Sequence, residues 1–150
     1  LAREGQSFKV GEVKVNILAP AESFIKGTIS DLNNNSVVAR VTYGDLSLLF
    51  AGDVQTEGQK RLVSSGQNLE SVILKVPHHG DNNAADFDFL KRVNPEVAVI
   101  SVGAWNLFGH PGRSTLGKLQ QFGSEIFRTD RHGSVTIFSD GKSFEVATEK

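Results

Sequence analysis

Apolar and polar residues alternate over Val13-Lys14-Val15-Asn16-Ile17-Leu18 and stop before Pro20, the pattern of a half-buried strand. Residues 22–35 are polar and read as a long loop with weak internal structure. The loop ends in the turn signal Asn33-Asn34-Asn35-Ser36. Strands are expected over 37–43 and 46–51, and the short Gly44-Asp45 link makes them an antiparallel hairpin. Leu46-Ser47-Leu48-Leu49-Phe50-Ala51 is apolar on both faces, as in a strand covered on both sides. A helix over 55–65 should stop at Gly66. A strand over 72–76, a helix over 85–93 and a strand over 97–102 follow. Ser114 is an N-cap candidate for a helix to about Phe122 that ends at Gly123. The strand Glu125–Arg128 and a hairpin, 135–138 with 144–147 through Asp140-Gly141, close the chain.

The middle of the chain is thus strand–helix–strand–helix–strand–helix–strand. Right-handed crossovers of this kind give parallel strands in one sheet, and the loops after those strands share one edge. Three such loops carry Asp53, then His78 and His79, then Asn106 and His110. The antiparallel hairpin brings residues 33–35 to the edge that holds Asp53. Half of the four histidines lie in Pro77-His78-His79-Gly80, directly after an apolar strand. Imidazole and carboxylate are the ligands of a hydrolytic zinc or manganese site.

Each residue also has a plainer reading. Asp53 could cap the following helix. His78-His79 could form a polar loop with one imidazole satisfied by hydrogen bonds. Their arrival at one edge favours the metal reading. Neighbouring histidines in an extended segment point opposite ways, so one would bind metal and the other face substrate or a supporting partner. His110 is either a turn residue or a substrate-facing donor or acid/base. His132, in a tight turn, reads as structural.

Composition narrows the classes. The chain has 150 residues, 39% of them hydrophobic and 22% charged, which suits one soluble globular domain with a real core. A net charge of −1 gives no global electrostatic reason to bind nucleic acid. Arg113, Arg128, Arg131 and Lys75 could supply local positive charge to a phosphate, or simply be solvated surface. With no cysteine, disulfides and thiolate metal sites are excluded. No apolar run reaches a membrane span, and no signal peptide is visible. Neither a Gly-x-Ser-x-Gly elbow nor a Gly-rich phosphate loop is present. A chain without methionine that begins Leu1-Ala2-Arg3-Glu4 is expected to be a segment of something longer.

Five motifs occur in order: Leu48-Leu49-Phe50-Ala51-Gly52-Asp53, Leu74-Lys75-Val76-Pro77-His78-His79-Gly80, Ile100-Ser101-Val102-Gly103, Asn106-Leu107-Phe108-Gly109-His110-Pro111 and Arg128-Thr129-Asp130. With Asn33-Asn34-Asn35-Ser36-Val37-Val38, they make nearly the whole chain similar to the metallo-β-lactamase-type domain at the C-terminal end of the ComEC family of competence DNA-uptake channels. The resemblance implies an α/β mixed sheet within a four-layer αββα sandwich, with two divalent ions (Zn or Mn) at one sheet edge. Asp53 would bridge the ions and His79 would ligate one of them. His78 and His110 would orient phosphate or leaving oxygen as catalytic residues, and Asn35, Ser36 and Asn106 would contact substrate. Residues 33–35 sit where many relatives place a further histidine.

The departure is an absence. The superfamily's main ligand motif, His-x-His-x-Asp-His or His-x-Asp-x-Asp-His, should precede this segment, yet no histidine precedes Asp53. Residues 1–150 are therefore expected to be a partial domain, binding metal weakly and inactive alone. For the intact domain the resemblance implies a metal-dependent nuclease that degrades the non-transported strand during DNA uptake. Its partners would be single-stranded DNA, or another phosphodiester, and the remainder of a polytopic membrane channel protein. The expected place is a soluble domain at the extracytoplasmic face of a bacterial cell membrane. The alternatives are a phosphodiesterase on a non-nucleic substrate, such as a wall-linked phosphorylcholine ester, and a non-catalytic DNA-binding or assembly module.

Overall fold

Strand pairing follows the hydrophobic pattern closely. A computed structural model describes residues 1–150. The elements are β1 (Ser7–Val10), β2 (Val13–Ala19), α1 (Asp31–Asn34), β3 (Val38–Tyr43), β4 (Leu46–Phe50), α2 (Thr56–Ser64), β5 (Ile73–Lys75), α3 (Phe87–Val93), β6 (Val97–Ile100), α4 (Arg113–Gln121), β7 (Glu125–Arg128), α5 (Thr129–His132), β8 (Val135–Ser139) and β9 (Phe144–Thr148). The first seven strands form one sheet in chain order. Neighbours from β1 to β4 are antiparallel, and those from β4 to β7 are parallel. Parallel neighbours need crossovers, which α2, α3 and α4 supply. The fold is α/β with a mixed sheet, as expected.

Because side chains alternate across a strand, each central strand has two apolar faces to bury. Leu49, Leu74 and Ala98 join Leu62, Phe89, Leu90 and Leu119 in a core of 18 buried residues beneath the helices. Leu46, Ile73 and Val97 turn the other way, against Ile137, Phe144 and Val146 of the separate β8–β9 hairpin. The layers are helices, seven-stranded sheet and hairpin. An apolar hollow of about 230 Å³ remains between sheet and hairpin, and Lys75 is the charged residue lining it. No helix is long and apolar enough to cross a membrane.

Four local expectations need correction. β1 lies where no strand was expected, because all four of its residues are exposed and it makes only an edge pairing with β2. The 22–35 loop contains the helical turn α1, held by distant groups. Buried Asn34 accepts from Gly58 N–H at 3.0 Å and donates to Glu57 Oε2 at 3.0 Å. α4 is capped by Gly112, so Ser114 lies inside its first turn. Pro77–Gly80 is a 3-10 turn rather than an extended segment.

At the far end of β7, Arg128 Nε donates to Asp130 Oδ1 at 3.0 Å, and both side chains are largely buried. The Arg128 hydrogen bond holds the Asp130 carboxyl below its ordinary 3.8, and burial opposes it. Asp31 is likewise held down, first by the Thr28 hydroxyl. The unfolded chain therefore takes up these protons first as pH falls. Their stabilisation is complete above the unfolded values and is lost as pH drops through the folded ones. Urea midpoints should be level from about pH 7 to 5 and fall below about pH 4. Asp130→Asn should lower the midpoint at neutral pH and flatten that fall.

Candidate functional site

Two loops at the C-terminal ends of the parallel strands are tied together by their backbones. After β4, Gly52 takes a left-handed φ of 53°, and a Cβ there would lie 2.9 Å from both Ser36 Cβ and the Val37 carbonyl oxygen. Glycine is what this approach permits. The Gly52 carbonyl accepts from His78 N–H at 3.2 Å, and Asp53 N–H donates to Ser36 Oγ at 3.2 Å. Asp53 does not cap α2, whose N-cap is Gln55. The capping reading of Asp53 thus falls, and the residue sits in the turn between β4 and α2.

The turn after β5 is strained. His78 and His79 take φ of 46° and 53°, and Gly80 follows at 78°. Left-handed backbone is uncommon for a residue with a Cβ, and it concentrates where function requires it. The turn sends the two rings to different partners. His79 Nδ1 lies 2.7 Å from the Ser101 carbonyl oxygen, so Nδ1 carries the proton. In the neutral ring Nε2 is then a lone pair, and it faces Asp53 Oδ1 at 4.0 Å. Both side chains are about half exposed, at 51% and 44%.

His78 has no free nitrogen. Its Nδ1 lies 2.7 Å from the Gln55 amide nitrogen, and its Nε2 lies 3.4 Å from that of Asn33. A neutral imidazole offers one donor and one acceptor, so one of these amides presents its oxygen instead. His110 approaches His78 with ring centres 5.8 Å apart, and Phe108 stacks on His110 at 5.7 Å.

The asparagines divide their work. Asn35 spends its amide on Ile25 and on the Asp31 carbonyl, bracing the preceding loop. Ser36 meets the backbone of Asp53. Asn106 bonds the Gly103 and His110 carbonyls and the His110 N–H, closing its own loop. Of the 33–35 stretch, Asn33 is the residue that reaches a site histidine, His78. Gln55 and the Ser101 carbonyl escaped sequence reasoning, because no motif marks an amide or a carbonyl that tertiary placement brings to a ring. His132 Nδ1 accepts from Arg128 N–H at 2.9 Å within its own turn, as its structural reading expects. Burial pushes the Lys75 ammonium below its ordinary value, and nearby Asp53 opposes this.

Sequence comparison decides the relationship. Over 124 residues, 82% of the chain, it is 37% identical to competence protein ComA of Neisseria gonorrhoeae. It is 27% identical over 133 residues, 89% of the chain, to ComE operon protein 3 of Bacillus subtilis (strain 168). The chain is homologous to a segment of the ComEC-type competence proteins. Recombination protein 2 of Haemophilus influenzae (strain ATCC 51907 / DSM 11121 / KW20 / Rd) shares 29% identity over 79% of the chain. The ComEC-type segment spans only 17%, 17% and 15% of these three relatives' own lengths. No family model matches the segment.

The donors of this ComEC-type segment suit part of a metal site. A carboxylate and an imidazole with free Nε2 and anchored Nδ1 are the donor chemistry and support that zinc or manganese takes. The number of ligands falls short. Catalytic zinc takes three protein ligands, and no three histidine, aspartate or glutamate side chains converge here.

Proposed function

We propose that the segment supplies one side of a metal-dependent phosphodiester-hydrolysing site, and that the intact protein degrades the non-transported strand during uptake of transforming DNA. The observation that carries this reading is His79, its Nδ1 proton held by Ser101 and its Nε2 lone pair aimed at Asp53. The competence and recombination proteins among its relatives support DNA uptake as the setting. Zinc or manganese ions, when bound, would supply a hydroxide and neutralise phosphate charge. Asp53 and His79 would hold them, together with ligands from elsewhere in the longer polypeptide. Gln55 and Asn33 occupy both ring nitrogens of His78 and fix that ring beside His110, which is left to donate to a phosphate or leaving oxygen. We place this site in the metallo-β-lactamase-type part of a membrane channel protein, at its extracytoplasmic face.

The test uses the longer polypeptide with manganese or zinc, offered single-stranded DNA, duplex DNA and bis(4-nitrophenyl) phosphate. Chelator-sensitive cleavage of the single strand is expected. Turnover of the small diester with DNA untouched would move the assignment to a non-nucleic phosphodiester. Absence of metal binding in that polypeptide would leave a non-catalytic module. The 150-residue chain alone should show no saturable zinc site when the signals of His78, His79 and His110 are followed. Saturation at micromolar zinc or tighter would sink the view that ligands are supplied from outside it.

A further inference from the structure

The loop over 103–110 presents three large apolar side chains to solvent. Trp105, Leu107 and Phe108 are 95%, 98% and 82% exposed. The loop itself is well braced, since Asn106 bonds both ends of its turn and Gly112 N–H donates to the Gly80 carbonyl at 2.8 Å. The aromatic faces are therefore held out on a fixed support. They also lead somewhere. Phe108 stacks on His110 at an interplanar angle of 17°, and His110 approaches His78. The ring of His79 lies 6.4 Å from that of His78, and beyond it is Asp53. A row of flat rings thus runs from the exposed loop to the carboxylate–imidazole pair.

We propose that this loop is a stacking platform that grips unpaired bases of single-stranded DNA and presents the adjoining phosphate to the Asp53–His79 edge. The presentation of phosphate rests on the hydrolase reading above, whereas the grip on bases does not. Stacking on aromatic faces tolerates any base, because every base has a π-face. It also needs no basic surface, and 16 basic against 17 acidic residues give the chain no net positive charge to draw in a strand. A lipid surface is the poorer occupant. Interfacial anchors combine aromatic residues with several lysines and arginines, and the loop has the single Arg113 beside it.

Trp105 is the sole tryptophan, so intrinsic fluorescence reports on this loop. The chain, in chelator and without metal, is titrated to about millimolar with a thymidine decamer, an abasic strand of equal length and a duplex. The decamer should quench Trp105 and bind at least about fivefold tighter than the abasic strand, as one stacked base implies. Phe108→Leu keeps apolar bulk and removes the aromatic face, so it should lose about fivefold or more, while Phe108→Trp should retain binding. Equal affinity for decamer and abasic strand, or full binding by Phe108→Leu, would overturn the platform. A Trp105 response to phosphatidylglycerol vesicles with none to the decamer would overturn it in favour of a membrane contact. Base-dependent binding without metal-dependent hydrolysis in the longer polypeptide would support the platform and defeat the hydrolase reading alone.

Discussion

Gly58→Ala is expected to destabilise the chain by about 2–3 kcal/mol, although alanine is the better helix former by about 1 kcal/mol. Gly58 lies in α2, where a Cβ would run into the Val54 side chain and sit 2.8 Å from the Asn34 carbonyl oxygen. Neither helix can retreat cheaply. Asn34 is 3% exposed and bonds α2 twice, through Gly58 N–H and Glu57. Its neighbour Asn33 is the residue that reaches His78, so displacing α1 should also shift the His78 imidazole signals. Gly117→Ala is the control. Gly117 lies within α4, and its Cβ would meet nothing within 4 Å. That change should stabilise by up to about 1 kcal/mol. Urea denaturation of the two variants checks both signs, and a Gly58→Ala protein as stable as the parent would contradict the packing described.

Asp53→Asn, made in the longer polypeptide, is expected to lower phosphodiester hydrolysis at least about a thousandfold, or about 4 kcal/mol of barrier. Asparagine keeps the shape of the side chain and leaves the Asp53 N–H on Ser36, so the turn survives. What is lost is the negative charge facing His79 Nε2. Gln55→Leu should cost less, about 10- to 100-fold, because Gln55 acts only through the ring of His78. Metal affinity should fall in Asp53→Asn and hold in Gln55→Leu, since Gln55 touches neither Asp53 nor His79. A Gln55→Leu enzyme crippled as deeply as Asp53→Asn would make His78 the more important group and displace the Asp53–His79 pair from the centre of the site.

The central strands were legible because burial on both faces leaves an unbroken apolar run, as in Leu46–Phe50. The crossovers then placed Asp53, His78, His79 and His110 at one edge without further information. β1 was hidden because Phe8 and Val10 are exposed, so its alternation carries no burial signal. α1 was hidden for the opposite reason. Its turn is fixed by Asp31 on Gly27 and Thr28 and by Asn34 on α2, not by helix propensity within Asp-Leu-Asn-Asn. At the site, periodicity could say which loops meet but not what each imidazole touches. Gln55 and Ser101 reach the rings only through the backbone geometry of the Pro77–Gly80 turn, which sequence reasoning had drawn as extended.

That turn sets thermal robustness against chemistry within three residues. Gly80 holds its left-handed φ freely, whereas His78 and His79 do so at roughly 1–2 kcal/mol each. His78 recovers part of this through Gln55 and Asn33, but His79 makes one ring contact and leaves its other nitrogen open. A library randomised at position 79 and screened only for survival of heating should therefore drift to glycine. Histidine would persist there only while a partner for Nε2 is also being selected.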